Sequence, residues 1–142
     1  HSERLEEQSD RMNDLIWYLP IAYMWCYIGS KVPLSIAMAT ANKGRYDNKT
    51  PRNQQDELTG KGARLRAAHY NAIESFPPFA VAVLVASIAD QTTLLMQGCA
   101  VAWCVCRLAY QWAYAADRGT LRTTVWAGSV LANLGLFFSL VL

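Results

Sequence analysis

Apolar residues run along this chain in long unbroken stretches separated by short polar ones, without the alternation of a half-buried strand. Four stretches stand out, at residues 15–41, 67–89, 94–116 and 123–142. About 20 mainly apolar residues suffice to cross roughly 30 Å of hydrocarbon. The last stretch holds no charged residue, the third only Arg107, the second only Glu74, and the first only Lys31. A single core helix can resemble one such stretch, but four in succession predict an all-α, integral membrane four-helix bundle. Its helices should cover about 15–41, 64–89, 94–116 and 122–142, within one domain at 14–142. Pro20 and Pro33 should let the first helix bend. Continuous apolar runs disfavour a β-barrel. Residues 1–13 read as a polar arm, rich in Glu3, Glu6, Glu7 and Asp10, without the short apolar core of a secretory signal.

Composition agrees with that pattern. Hydrophobic residues make up 53% of the chain and charged residues 17%, against roughly 25% charged in an ordinary soluble domain. A net charge of +2, scattered along the chain, gives no footing for a nucleic-acid partner. Where the charges fall is more informative. Residues 42–66 hold Lys43, Arg45, Lys49, Arg52, Lys61, Arg64 and Arg66, and the connection before the last span holds Arg118 and Arg122. The opposite face has Arg4 and Arg11 in the N-terminal segment and no basic residue in 90–93. This bias predicts a multi-pass protein with both basic loops in the cytoplasm and both termini on the other side.

Little in the chain suggests metal chemistry. Cys26, Cys99, Cys104 and Cys106 lie inside apolar stretches without a CxxC, which argues for packing and against a zinc site or a disulfide framework. His69 is the one histidine beyond the terminal residue, so no metal site is expected. The candidate chemistry lies on a polar stripe of the second span, where Arg64, Ala67, Asn71, Glu74 and Pro78 follow helical spacing. A carboxylate inside a span costs about 2.5–3.5 kcal/mol on insertion scales, so Glu74 should face a partner or a wet cavity. Pro77 and Pro78 should bend the helix just beyond it. In the third span Arg107, Tyr110 and Tyr114 share a face, and Arg107 is the natural counter-ion for Glu74. The plain alternative is a buried ion pair joining two helices, with the tyrosines as interfacial anchors.

The stretch Arg66-Ala67-Ala68-His69-Tyr70-Asn71-Ala72-Ile73-Glu74-Ser75-Phe76-Pro77-Pro78-Phe79 resembles the second-helix signature of the MAPEG family, the membrane-associated proteins in eicosanoid and glutathione metabolism. Arg107-Leu108-Ala109-Tyr110-Gln111-Trp112-Ala113-Tyr114, followed by Leu121-Arg122-Thr123, is similar to the family's third and fourth helices. Tyr46-Asp47-Asn48 with Pro51-Arg52 resembles the loop of a compact branch common in bacteria. The resemblance spans about residues 14–142. It implies a homotrimer that binds glutathione between subunits, ionises its thiol and directs the thiolate at lipophilic electrophiles or lipid hydroperoxides.

By position, the resemblance makes Arg122 and Tyr114 the catalytic candidates. Arg66, His69, Asn71, Glu74, Arg107, Tyr110 and Thr123 become the ligand-binding ones, with glutathione as co-substrate and membrane lipids and lipophilic small molecules as partners. Ala67 stands where active members carry arginine, and Trp126 where the eicosanoid enzymes carry a second tyrosine. Those departures keep open a non-enzymatic role, as a lipid-binding protein or an accessory subunit of a larger membrane complex.

Overall fold

The computed structural model describes residues 15–89 and 91–141, so the expected arm at 1–13 lies outside the described residues. Among those described the chain is helical, without strands. The first span is a rod of three pieces: α1 (Tyr18–Tyr23), a π-helical segment (Met24–Gly29) and α2 (Lys31–Ala41). Pro20 and Pro33 both fall in the first turn of an α-piece, where proline is tolerated. The rod therefore changes its winding at the π segment, where the Ser30 amide donates to the Trp25 carbonyl five residues back, at 3.0 Å. The Ser30 hydroxyl donates to the Cys26 carbonyl there.

The connection after α2 contains a short helix that hydropathy did not announce, α3 (Pro51–Asp56), which starts on proline at its first position. Gln54, buried, clamps the loop. Its amide nitrogen donates to the carbonyls of Met38 at 3.1 Å and Arg45 at 3.0 Å, and its oxygen accepts from the Asp47 amide at 2.9 Å. The Asp47 carboxylate accepts from the Thr50 hydroxyl and from the amides of Lys49 and Thr50. Those bonds, the Thr50 hydroxyl first, hold its carboxyl below the ordinary value of 3.8.

Three long helices follow: α4 (Gly60–Ile88), α5 (Leu94–Ala115) and α6 (Gly119–Phe138). The second span thus begins four residues before its predicted start. Pro77 and Pro78 lie inside α4, which runs on past them without interruption. Thr93 caps α5 by accepting from the Met96 amide at 3.2 Å. At the other end Asp117 takes a left-handed φ of 60° and the Arg118 amide reaches back to the Ala113 carbonyl, closing the helix.

Helix α4 touches the first rod, α5 and α6, and so occupies the middle of the fold. The Phe79 and Trp103 rings stack at 3.9 Å, joining α4 to α5 in the core. The tightest seam runs between α5 and α6. A Cβ added to Gly135 would lie 2.8 Å from the Cys99 sulfur, and one on Gly128 3.0 Å from that of Cys106. Both pairs are seven residues apart, so each of these two glycines of α6 receives one cysteine of α5, which supports packing as the role of Cys99 and Cys106.

Ile21, Ile36, Ile88, Leu95, Leu131 and Phe138 lie exposed on the flanks of the helices, where a soluble domain would not cluster them. Helix α4 is the one described helix both long and apolar enough to cross a membrane. Four were expected. Helices α5 and α6 have the length, and it is their internal polar residues, such as Arg107, Gln111 and Asn133, that reduce their apolar character.

Three outcomes follow for the fold. Gly135→Ala should destabilise the protein by about 1–3 kcal/mol in thermal unfolding, through overpacking against Cys99. Gly98→Ala, on α5 with open space around it, should instead stabilise by about 0.5–1 kcal/mol. Because the folded carboxyl of Asp47 titrates below its unfolded value, its hold on the loop is complete above about pH 3.8 and is lost as pH falls through the lower, folded value. Hydrogen exchange at pH 6 should accordingly show faster exchange at Lys49 and Thr50 in Asp47→Ala, with α4 unchanged.

Candidate functional site

Arg107 is the largest fully buried side chain in the described fold, with 1% of its surface exposed. A buried guanidinium needs acceptors, and α4 provides them one turn before Glu74. Its Nη2 donates to Asn71 Oδ1 at 2.6 Å and to the Asn71 carbonyl at 3.2 Å. One turn further along α5, Gln111 donates to the Ala68 carbonyl at 2.8 Å. Two polar side chains four residues apart on α5 are thereby stitched to two positions three residues apart on α4, which fixes the register of the pair.

The expected Glu74–Arg107 ion pair does not form within the chain. Among the described residues the salt bridges are Arg64–Asp117 at 3.5 Å and Arg66–Asp56 at 2.6 Å. Glu74 lies about 60° around the helix from Asn71, and its side chain stays exposed. It opens into the same crevice as Arg107, a space of about 450 Å³ between α4, α5 and α6 whose polar lining also includes Asn71, Ser75, Ser129 and Asn133. The Asn133 side-chain oxygen is buried there without a partner.

From Arg107 a ladder of cation–π and aromatic contacts leads toward the basic end of the helices. The Arg107 guanidinium lies 4.5 Å from the Tyr110 ring centre. Tyr110 meets Tyr114 edge-on at 5.6 Å, and Arg122 of α6 covers Tyr114 at 4.6 Å. Five residues named from sequence, Asn71, Arg107, Tyr110, Tyr114 and Arg122, therefore form one connected row across three helices. Such an array offers a cationic, donor-rich surface with two phenols in reach, suited to holding an anion and stabilising developing negative charge.

Three other named residues stand apart. Arg66 is engaged with Asp56, with the Gln55 carbonyl at 3.3 Å, and with the Tyr70 ring, so it ties α4 to the α3 loop. His69 is buried against the first rod, its Nδ1 2.7 Å from the Ser30 hydroxyl. That hydroxyl is already donated to Cys26, which leaves Nδ1–H as the donor of the pair. Helical geometry explains both placements: residues 69 and 71 differ by about 200° and residues 66 and 71 by about 140°. Thr123 is exposed, its hydroxyl donating to the Gly119 carbonyl at 3.2 Å.

Sequence reading missed Gln111, Ser129 and Asn133. Each is a polar residue inside an apolar span, and Ser129 and Asn133 lie four apart on one face, a signal the pattern did carry. Among the described residues no group of three His, Cys, Asp or Glu side chains comes together to hold a metal.

Comparison with curated proteins and with solved structures gave no match. The comparison with protein families gave one, to the MAPEG family, over residues 20–142. That match takes in every helix of the site and nearly all of the first rod. The chain belongs to the MAPEG family.

Proposed function

We propose that the protein is a multi-pass membrane enzyme that transfers glutathione to lipophilic electrophiles or uses it to reduce lipid hydroperoxides. The observation that carries this reading is the Asn71–Arg107–Tyr110–Tyr114–Arg122 row, with Glu74 open in the crevice beside it. In the proposed complex Asn71 and Glu74 hold the polar backbone or amino end of the tripeptide, with Arg107 beneath it. Arg122 stands nearest the sulfur, and Tyr114 contacts the ligand from α5. A guanidinium beside the thiol favours the thiolate, at about 1.4 kcal/mol per pKa unit. In transfer the thiolate forms a bond to carbon and the leaving group departs. In peroxide reduction it takes the terminal oxygen as the O–O bond breaks, and the alkoxide leaves as the lipid alcohol on gaining a proton. A second glutathione converts the sulfenic acid to the disulfide and water.

The wider assembly belongs to the same reading. Four transmembrane helices pack as a bundle, the bundle forms a homotrimer, and neighbouring subunits complete the crevice that one chain leaves open at Glu74. Both basic connections face the cytoplasm, which places Arg122 where glutathione is abundant and the apolar flanks where lipophilic substrates dissolve.

A second reading is favoured by one position. Ala67 supplies no cation to the stripe, and its neighbour Arg66 is held by Asp56. On that reading the protein binds lipid or serves as an accessory subunit without turnover, and affinity purification should recover foreign subunits in fixed ratio.

Purified protein in detergent tests the first reading. Glutathione should raise its melting temperature, and turnover should appear with 1-chloro-2,4-dinitrobenzene or a fatty-acid hydroperoxide. Arg122→Met should lower kcat about 100-fold, on the scale of losing one preorganised charge partner. Its pH–rate profile should shift upward, because without the cation the bound thiol ionises at higher pH. Glu74→Gln should chiefly weaken the glutathione-induced shift. Absence of both turnover and thermal shift contradicts the proposal.

A further inference from the structure

Helix α4 turns opposite faces to different surroundings. His69 meets Ser30 of the first rod at 2.7 Å, and Phe76 packs edge-on against Tyr23 and Tyr27, so residues 69, 72 and 76 look toward the rod. Residue 74 lies about 200° around the helix from both 72 and 76, and about 140° from 69. Glu74 therefore looks away from the rod, on an outward face that also carries Tyr70, Pro77, Pro78 and Val81, all exposed.

That face holds acceptors without donors. Pro77 and Pro78 have no N–H, so the carbonyls of Ile73 and Glu74, four residues back, receive no helical hydrogen bond. The adjacent hydroxyl, Ser75, donates to the Ala72 carbonyl instead, at 2.8 Å. The Glu74 carboxylate has no cation among the described residues. Within a membrane span, bare carbonyls and a carboxylate are each costly unless a donor covers them.

One cation of similar depth also lacks a counter-charge. Lys31 opens α2, in the middle of the first rod and half-buried on its flank, and forms no ion pair among the described residues. The contact between its neighbour Ser30 and His69 sets its height. Five residues of α4, a rise of about 7.5 Å, separate 69 from 74, and a four-carbon stem covers most of that interval. Within one chain, however, α4 itself stands between the two groups. A molecule with a cation on one side and its acceptors on the other, at matching depth, is complementary to the next copy of itself. Head-to-tail contacts of that kind close into a ring when the rotation allows.

We propose that Lys31 of each copy pairs with Glu74 of the next around such a ring, its ammonium donating to the carboxylate and to the two carbonyls freed by Pro77 and Pro78. The three N–H donors of an ammonium match those three acceptors. The pairing rests on the proposed homotrimer and names the side chains that join its subunits.

Dicyclohexylcarbodiimide, an apolar reagent, tests this on the unaltered full chain in detergent. It activates a carboxyl group, a lysine amine in contact displaces the urea, and an amide remains. The protein should become covalent oligomers no larger than the assembly that native mass spectrometry reads, and their digest should contain a Lys31–Glu74 amide. That amide should disappear in Lys31→Arg and in Glu74→Gln. Exchanging the charges supplies a second measurement. Lys31→Glu and Glu74→Lys should each weaken subunit association roughly tenfold or more, as for one partner of a buried pair reversed, and the double exchange should recover most of the loss. An intact oligomer without the amide, an amide confined to monomer, or no recovery in the double exchange overturns the pairing and leaves the homotrimer standing. A protein that is monomeric throughout overturns both. The glutathione-induced thermal shift of the unaltered protein reports on the thiol chemistry separately.

Discussion

Burying a guanidinium between apolar helices is costly unless every donor finds an acceptor, and the packing of this protein is organised around meeting that demand. Arg107 meets it in part: its Nη2 reaches the two oxygens of one residue, Asn71, the guanidinium rests on the face of Tyr110, and Nε is left buried without an acceptor. The contact sets the height of α5 against α4, and Gln111 repeats it one turn along. Along the same face of α5, Tyr114 meets Arg122 of α6, and the row of cations and phenols is complete. Helix α6 is held to α5 by different means, close approach of Gly128 and Gly135 to two cysteines. The polar site is thus built on one seam and supported by an apolar one.

The ends of the helices are tied by separate contacts. Arg66 bridges to Asp56, Tyr70 donates to Gln55 and Arg64 reaches Asp117, so the basic loops are locked to α4 through side chains that looked available from sequence. A cation adjacent to a site in sequence is therefore not free to serve it. What remains is Arg107 in the wall of the crevice and Arg122 over the Tyr114 ring, a sparser set than the density of basic residues suggests.

Much of this was legible in the sequence, and the failures have physical causes. Hydropathy placed the four long helical stretches to within a few residues, because each is a continuous apolar run. It did not foresee α3, which is built on Pro51 and polar loop residues, or the π segment, which leaves no trace in periodicity. Helical spacing grouped Asn71 with Glu74 and Arg107 with Tyr110 and Tyr114 correctly. It could not decide which of Asn71 and Glu74 receives Arg107, since that depends on the rotation of α4. The prior that charges pair with charges favoured Glu74, whereas the geometry favours a residue that offers two oxygens on the same turn. Arg66 and His69 were grouped with the site by resemblance along the chain, although helical rotation turns them toward the loop and the first rod.

A double-mutant cycle across α4 and α5 tests whether Asn71, and not Glu74, receives the Arg107 guanidinium. Unfolding free energies of Asn71→Ala, Arg107→Gln and the double variant should show a coupling of about 1.5–3 kcal/mol, as expected for a buried hydrogen bond to a charged group. The parallel cycle with Glu74→Gln should be close to additive. Additivity between Asn71 and Arg107, with strong coupling between Glu74 and Arg107 instead, would show that the carboxylate and not the amide holds the guanidinium.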